Sequence, residues 1–247
     1  MDRLASIILA AGQGKRMKRK DIPKVLNKVL GKPMVQYVVE LALEVGSEKV
    51  IVVIGHQGEK VQDALRKFPV KFVWQREQLG TGHAVLQAAP LLQNFDGNAL
   101  ILYGDVPLLK EETIEKLLAT HRKTQADLTL LTTELDDPTG YGHIIRDVNG
   151  KILAIVEDKD TTPEQKAIKE INPGIYIFKV KPLIEFLPKL SNENVQGEYY
   201  LTDLVGLFKK NGLHIETYKT PDSLEIMGVN TVEHLKSVEK ILLERKS

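Results

Sequence analysis

Short uninterrupted apolar runs recur through the first half of the chain, each bounded by polar or glycine-containing stretches. Residues 5–10, Lys49–Ile54 (KVIVVI) and Asn98–Tyr103 (NALILY) lack polar alternation, the pattern of strands covered on both faces. Shorter strands are expected at 71–74 and 128–133. Apolar positions at helical spacing predict helices over 33–46, 58–68, 81–92 and 111–123. The first has Pro33 near its start and Gly46 at its end. The second turns Val61 and Leu65 to one face, and the fourth turns Ile114, Leu117 and Leu118 inward. Strands alternating with helices indicate an α/β, Rossmann-like, doubly wound sheet, mixed but mainly parallel. Right-handed crossovers then place ligands at the carboxyl ends of the strands.

The pattern changes after residue 135. The segment GHIIRDVNGKILAIV, residues 142–156, reads as two strands around an Asn149-Gly150 turn. Another strand is expected at 172–179, and together these suggest a small antiparallel annex over the mouth of the first sheet. Residues 201–210 and 231–244 look helical. No proline- or serine-rich linker, internal repeat or low-complexity stretch divides the halves.

Composition narrows the function. Lys+Arg total 34 and Asp+Glu 33 among 247 residues, so the net charge of +1 gives no support for a nucleic-acid or membrane-surface binder. There is no cysteine, which removes disulfides, thiolate metal sites and cysteine nucleophiles. No apolar stretch approaches a membrane span, and the first residues lack a signal-peptide core, so a cytoplasmic location is expected.

The stretch IILAAGQGKRMKRKDIPK, residues 7–24, carries the densest chemistry. A buried strand ends in Ala10, Ala11, Gly12 and Gly14, whose small side chains let the backbone approach a base and phosphates. Arg16 and Lys24 add positive charge. The stretch is neither a Walker loop nor a Rossmann fingerprint, because the GK[ST] ending and the third glycine are missing. A tight structural turn with solvated cations is the alternative.

With LAAGQGKRM (9–17), PKVL (23–26), QLGTGHA (78–84), YGDVPLL (103–109), DDPTGYGHI (136–144), IVEDKD (155–160), EINPGIY (170–176), QGEYYLTD (196–203) and MGVNT (227–231), the chain resembles the sugar-phosphate nucleotidylyltransferases. The likeness is strongest to the uridyltransferase domains of the bacterial bifunctional enzymes that make UDP-N-acetylglucosamine, a cell-wall precursor. It spans nearly the whole chain and implies the nucleotide-diphospho-sugar transferase fold. One domain, 1–247, is expected: a nucleotide-binding half (about 1–135), a sugar-binding half (about 136–230) and a C-terminal helix (231–247).

The resemblance implies transfer of UMP from UTP to N-acetylglucosamine 1-phosphate, releasing pyrophosphate, with Mg²⁺ as cofactor. Two polyanions must meet, so neutralisation and alignment are the protein's main tasks. Arg16 and Lys24 are then the catalytic cations. Leu9, Ala10, Ala11, Gly12, Gly14, Gln75, Gly80, Thr81, Tyr103 and Gly104 would bind the nucleotide, with Gln75 and Gly80-Thr81 at the uracil. Asp105 and Asn230 would hold Mg²⁺, although each could also be a helix cap. Gly142, Glu157, Asn172, Tyr200 and Thr202 would line the sugar, and Glu157 could instead be an exposed strand-end charge. His83 reads as structural, Gln78 is unassigned, and Trp74 and Tyr103 read as packing groups, Tyr103 near the ribose. The resemblance gives no oligomeric state.

Two departures matter. Pro173 stands where relatives often have Thr. Nothing resembles the hexapeptide repeats that follow in those relatives, so their acetylation step and trimer do not carry over. The chain is then either a stand-alone uridyltransferase or part of a longer one. Two other readings remain: a sister enzyme using glucose 1-phosphate or another sugar with UTP or dTTP, and a non-catalytic nucleotide-sugar sensor.

Overall fold

The computed structural model describes residues 3–14, 17 and 21–245. Strand β1 (Leu4–Ala10) is buried along its whole length and lies between two parallel neighbours. A hairpin β2 (Lys28–Val29) and β3 (Lys32–Pro33) precedes helix α1 (Met34–Glu44). There follow β4 (Lys49–Ile54), α2 (Gly58–Leu65), β5 (Val70–Trp74), α3 (Thr81–Ala88), β6 (Asn98–Tyr103), α4 (Glu111–Thr124) and β7 (Leu128–Glu134). The expected helix over 81–92 ends at Ala88, and a 3-10 turn (Ala89–Leu91) built around Pro90 follows it.

In the second half β8 (Gly142–Arg146) and β9 (Ile152–Val156) form the expected hairpin, with Gly150 in its turn. Helix α5 (Pro163–Lys166) leads to β10 (Glu170–Asn172) and β11 (Tyr176–Lys179). Helices α6 (Val180–Phe186) and α7 (Asp203–Lys210), strand β12 (Ile215–Lys219) and helix α8 (Val232–Glu244) complete the chain.

The sheet runs β5-β4-β1-β6-β11-β7-β10-β8-β9, with β12 beside β7. The β1, β4, β5 and β6 pairs are parallel, as is β12 with β7. One strand expectation is corrected. The run 172–179 is two strands, not one. Pro173 has no amide hydrogen to donate, and Gly174 sits at φ +86°, so the ladder breaks there. Only β10 joins the antiparallel annex with β8, while β11 inserts antiparallel between β6 and β7 in the main sheet.

Alternation along β1 sends Leu4, Ile8 and Ala10 to one face and Ala5, Ile7 and Leu9 to the other. The first face packs under α1, α2 and α4, and the second under α3, α6 and α7. A smaller cluster of Met17, Val29, Met34, Leu108, Val229 and Val238 ties α8 to the loop after β1 and to the β2–β3 hairpin. Among the described residues no helix is long and apolar enough to cross a membrane.

Candidate active site

The site lies where the winding reverses. β4 leaves β1 on one side and β6 flanks it on the other, so the loops after β1 and β6 diverge from a shared crevice. Leu9 is paired with Tyr103, and the Gly104 N–H donates to the Leu9 carbonyl at 3.0 Å, holding the two loop starts together. A cavity of about 240 Å³ opens there, lined by Leu9, Ala10, Ala11 and Gly12 on one side and by Gln75, Gly80, Thr81, Tyr103 and Asp105 on others. It runs into an outer cavity of about 440 Å³ through Gly12, Lys24, Gln78 and Glu198, which line both; Gly14 and Asn230 line the outer one.

Lys24 begins a 3-10 turn (Lys24–Leu26) placed by Pro23. Gly14, at φ +61°, lies against it: a Cβ there would come within 2.7 Å of Lys24 Cβ. The glycine loop is therefore folded directly over the lysine stem. The Lys24 ammonium donates to Asp105 Oδ2 and, at 3.1 Å, to Asn230 Oδ1. Residues 81 and 206 positions apart thus meet at one cation. Arg16 lies outside the described residues.

The cap readings of Asp105 and Asn230 find no support. Thr231 caps α8, its hydroxyl accepting from the His234 amide at 3.2 Å, and the Asp105 carboxylate is bonded to Lys24. Two side-chain oxygens aimed at a single positive centre suit a hard divalent cation. Among the described residues no group of three His, Cys, Asp or Glu could hold a metal, so phosphate oxygens and water would complete any such site.

At the inner end, Gln75 is buried and its Nε2 donates to the Gly80 carbonyl at 2.9 Å. The segment 199–201 lies against 79–82 through Tyr199 N to Leu79 O, Gly82 N to Tyr199 O and Leu201 N to the Thr81 hydroxyl. This pairing brings Glu198 to the cleft, a residue within the QGEYYLTD stretch that sequence reasoning left unassigned. Gln78 also lines both cavities and accepts from Gln13 at 3.2 Å.

Gly142, Glu157, Asn172 and Thr202 line neither cavity; Tyr103 joins them to it. A Cβ on Gly142 would lie 3.6 Å from Glu157 Oε1, and the Thr202 hydroxyl donates to that oxygen at 2.9 Å. Burial pushes the Glu157 carboxyl up, Thr202 opposes the shift, and the nearby Asp203, Asp160 and Glu198 add to it. Tyr103 is raised above the usual phenol range by burial, then by Glu157 and by Asp105, so it feels both ends of the site. Gly174, with its positive φ, lies on the Tyr103 ring. Asn172 Nδ2 donates to the hydroxyl of the buried Tyr176 at 2.6 Å, and its oxygen accepts from Gly174 N at 3.1 Å. Tyr176 belongs to the core, and nothing in its local sequence pattern signals its bond to Asn172. Tyr200 is buried with its hydroxyl accepting from Gln196, and burial pushes the phenol up to about 12.

Residues 6–173 match the MobA-like NTP transferase domain family. The chain is 50% identical over 240 residues to the bifunctional protein GlmU of Geobacillus sp. (strain WCH70), covering 97% of this chain and 52% of that protein. It is 48% identical over 245 residues to the protein of the same name from Thermoanaerobacter pseudethanolicus, covering 99% and 53%. The chain therefore spans about half the length of these curated relatives. A crystal structure of UDP-glucose pyrophosphorylase complexed with UDP-glucose superposes with a TM-score of 0.78 at 20% identity, over 99% of this chain and all of that one, which bears out the fold. The family match over two thirds of the sequence, on a sheet whose crevice gathers Lys24 and Asp105, makes this chain a member of the MobA-like NTP transferase domain family of nucleotidyltransferases.

Proposed function

We propose that the chain transfers UMP from UTP to N-acetylglucosamine 1-phosphate, with Mg²⁺, forming UDP-N-acetylglucosamine and pyrophosphate. One observation carries this reading: Lys24, Asp105 and Asn230 meet at one point on a glycine-lined cleft whose inner end is Gln75 and Gly80. The names and identities of the relatives, of whose length this chain spans about half, support the choice of sugar.

In this reading the nucleotide occupies the crevice of the first half and the sugar lies beyond Tyr103, against Gly142, Glu157 and Asn172. A phosphate oxygen of the sugar 1-phosphate attacks the α-phosphorus of UTP. The bond from that phosphorus to the bridging β-phosphate oxygen breaks, and pyrophosphate leaves with the electron pair. The nucleophile is already ionised at neutral pH, so no general base is needed. Lys24, and Arg16 eight positions earlier in the sequence, neutralise the triphosphate and the departing charge. Asp105 and Asn230 would hold the divalent ion, which when bound would supply positive charge to the reacting phosphates. Glu157 accepts from a sugar hydroxyl, with Gly142 beside it.

Pyrophosphate release across a panel of sugar 1-phosphates and nucleoside triphosphates tests the reading. Release is expected with UTP and N-acetylglucosamine 1-phosphate. Release only with glucose 1-phosphate would point to the sister enzyme, and binding without release to a sensor.

A further inference from the structure

His83 stands on the first turn of α3, half-buried, and the proposed reaction gives it no task. Its Nδ1 lies 3.2 Å from Gln75 Nε2, and its Nε2 lies 3.2 Å from Gln87 Nε2. A neutral imidazole offers one acceptor and one donor, so it cannot accept from both amides. Each amide also faces a carbonyl, Gln75 Nε2 that of Gly80 at 2.9 Å and Gln87 Nε2 that of His83 at 3.1 Å, and a carbonyl can face only an NH₂ end. Burial decides between them: Gln75 is buried and held in place, whereas Gln87 is half-buried and has room to turn. His83 Nδ1 is therefore the acceptor and Nε2 carries the hydrogen. Gln87, one turn along the helix, is then the amide that gives up the His83 carbonyl and turns its oxygen to Nε2.

Both Gln75 amide hydrogens are then spent, one on Gly80 and one on His83. Gln75 Oε1 has no hydrogen-bond partner among the described residues, yet it is not among the sealed, unsatisfied buried atoms, and Gln75 lines the inner cavity. Gln75 thus presents an acceptor to the cavity.

We infer that His83 is a positioning residue that locks Gln75 with its oxygen toward the base, and so selects a pyrimidine bearing a hydrogen on N3 over one with a bare N3. Uracil and thymine offer that hydrogen. Cytosine brings an acceptor against an acceptor, and the site has no spare Gln75 hydrogen to relieve it. This rests on the proposed placement of a nucleotide base against Gln75, but not on catalysis.

The test is calorimetric binding of UTP, CTP and 3-methyluridine triphosphate to the wild-type chain, His83→Leu and His83→Asn. Wild type should bind UTP more tightly than CTP, and 3-methyluridine triphosphate about 10-fold more weakly than UTP. His83→Leu removes the acceptor and should shrink the CTP-to-UTP Kd ratio by roughly 5- to 10-fold. His83→Asn places a carboxamide oxygen near the position of Nδ1 and should restore the ratio to within about twofold of wild type. A ratio unchanged in His83→Leu, with both nucleotides weakened equally, would show a structural role only and overturn the inference while leaving the nucleotide site intact. Equal wild-type binding of UTP and its 3-methyl derivative would overturn it without recourse to any variant. No UTP binding by the wild-type chain would overturn both the inference and the function it rests on.

Discussion

Lys24 does two jobs that a surface lysine could not. Its stem supports the glycine loop, and its ammonium draws together two oxygens from the distant loops after β6 and before α8. Removing one of those oxygens should therefore act through the cation site: Asp105→Asn should raise the divalent-ion requirement by about 10- to 100-fold, read from a Mg²⁺ titration of pyrophosphate release. An unchanged titration would remove Asp105 as a ligand. Arg16→Ala should lower kcat by about 10²–10³-fold with folding intact. Glu157 gives a pH-dependent prediction. Burial raises its carboxyl above the ordinary 4.5, so the folded chain holds that proton more tightly than the unfolded chain, and ionisation costs stability at neutral pH. Glu157→Gln should melt higher than wild type at pH 7, with the gain shrinking as pH falls and vanishing below about 4.5, by scanning calorimetry. At this scale the sequence was most legible where a residue sat in a contiguous motif, as with Lys24 and Asp105. It was least legible for Tyr176 and His83, whose tasks depend on partners brought in by the fold.

Elements near the site are anchored by buried polar groups rather than by packing alone. Glu225, buried in the 3-10 turn Ser223–Ile226, accepts from the Lys110 amide at the start of α4, from the Thr113 hydroxyl and from the Thr220 hydroxyl. A carboxylate at a helix N-terminus is favourably placed, and this one fixes the segment leading to Asn230. Glu225→Ala leaves these donors without their partner and should cost about 1–3 kcal/mol in denaturant unfolding, with a weaker Mg²⁺ response. The parallel strands β1, β4 and β6 could be read directly, because full burial on both faces writes itself as an unbroken apolar run. β12 could not: Ile215–Lys219 is short, half-exposed and carries two charged residues, so its place beside β7 is set by tertiary pairing. The break at Pro173-Gly174 was visible as two residues but not as a change of sheet, since a local signal cannot say which neighbours the next strand finds.

For the molecule as a whole, the sheet order creates the crevice and the second half closes on it. β11 returns into the main sheet beside β6, which sets Gly174 on Tyr103 and so brings Asn172 and Glu157 next to the end of the β6 strand. The β1–β6 crevice and the annex therefore meet at Tyr103. The two groups of residues stand in separate motifs of the sequence, and their meeting through Tyr103 follows only from the strand order. The most direct measurement is a crystal structure of this chain with UDP-N-acetylglucosamine and Mg²⁺. Expected are the uracil against Gln75 and Gly80, the diphosphate beside Lys24 with Mg²⁺ at Asp105, and the sugar beside Gly142, Glu157 and Asn172; a nucleotide sugar bound away from the β1–β6 crevice would contradict this.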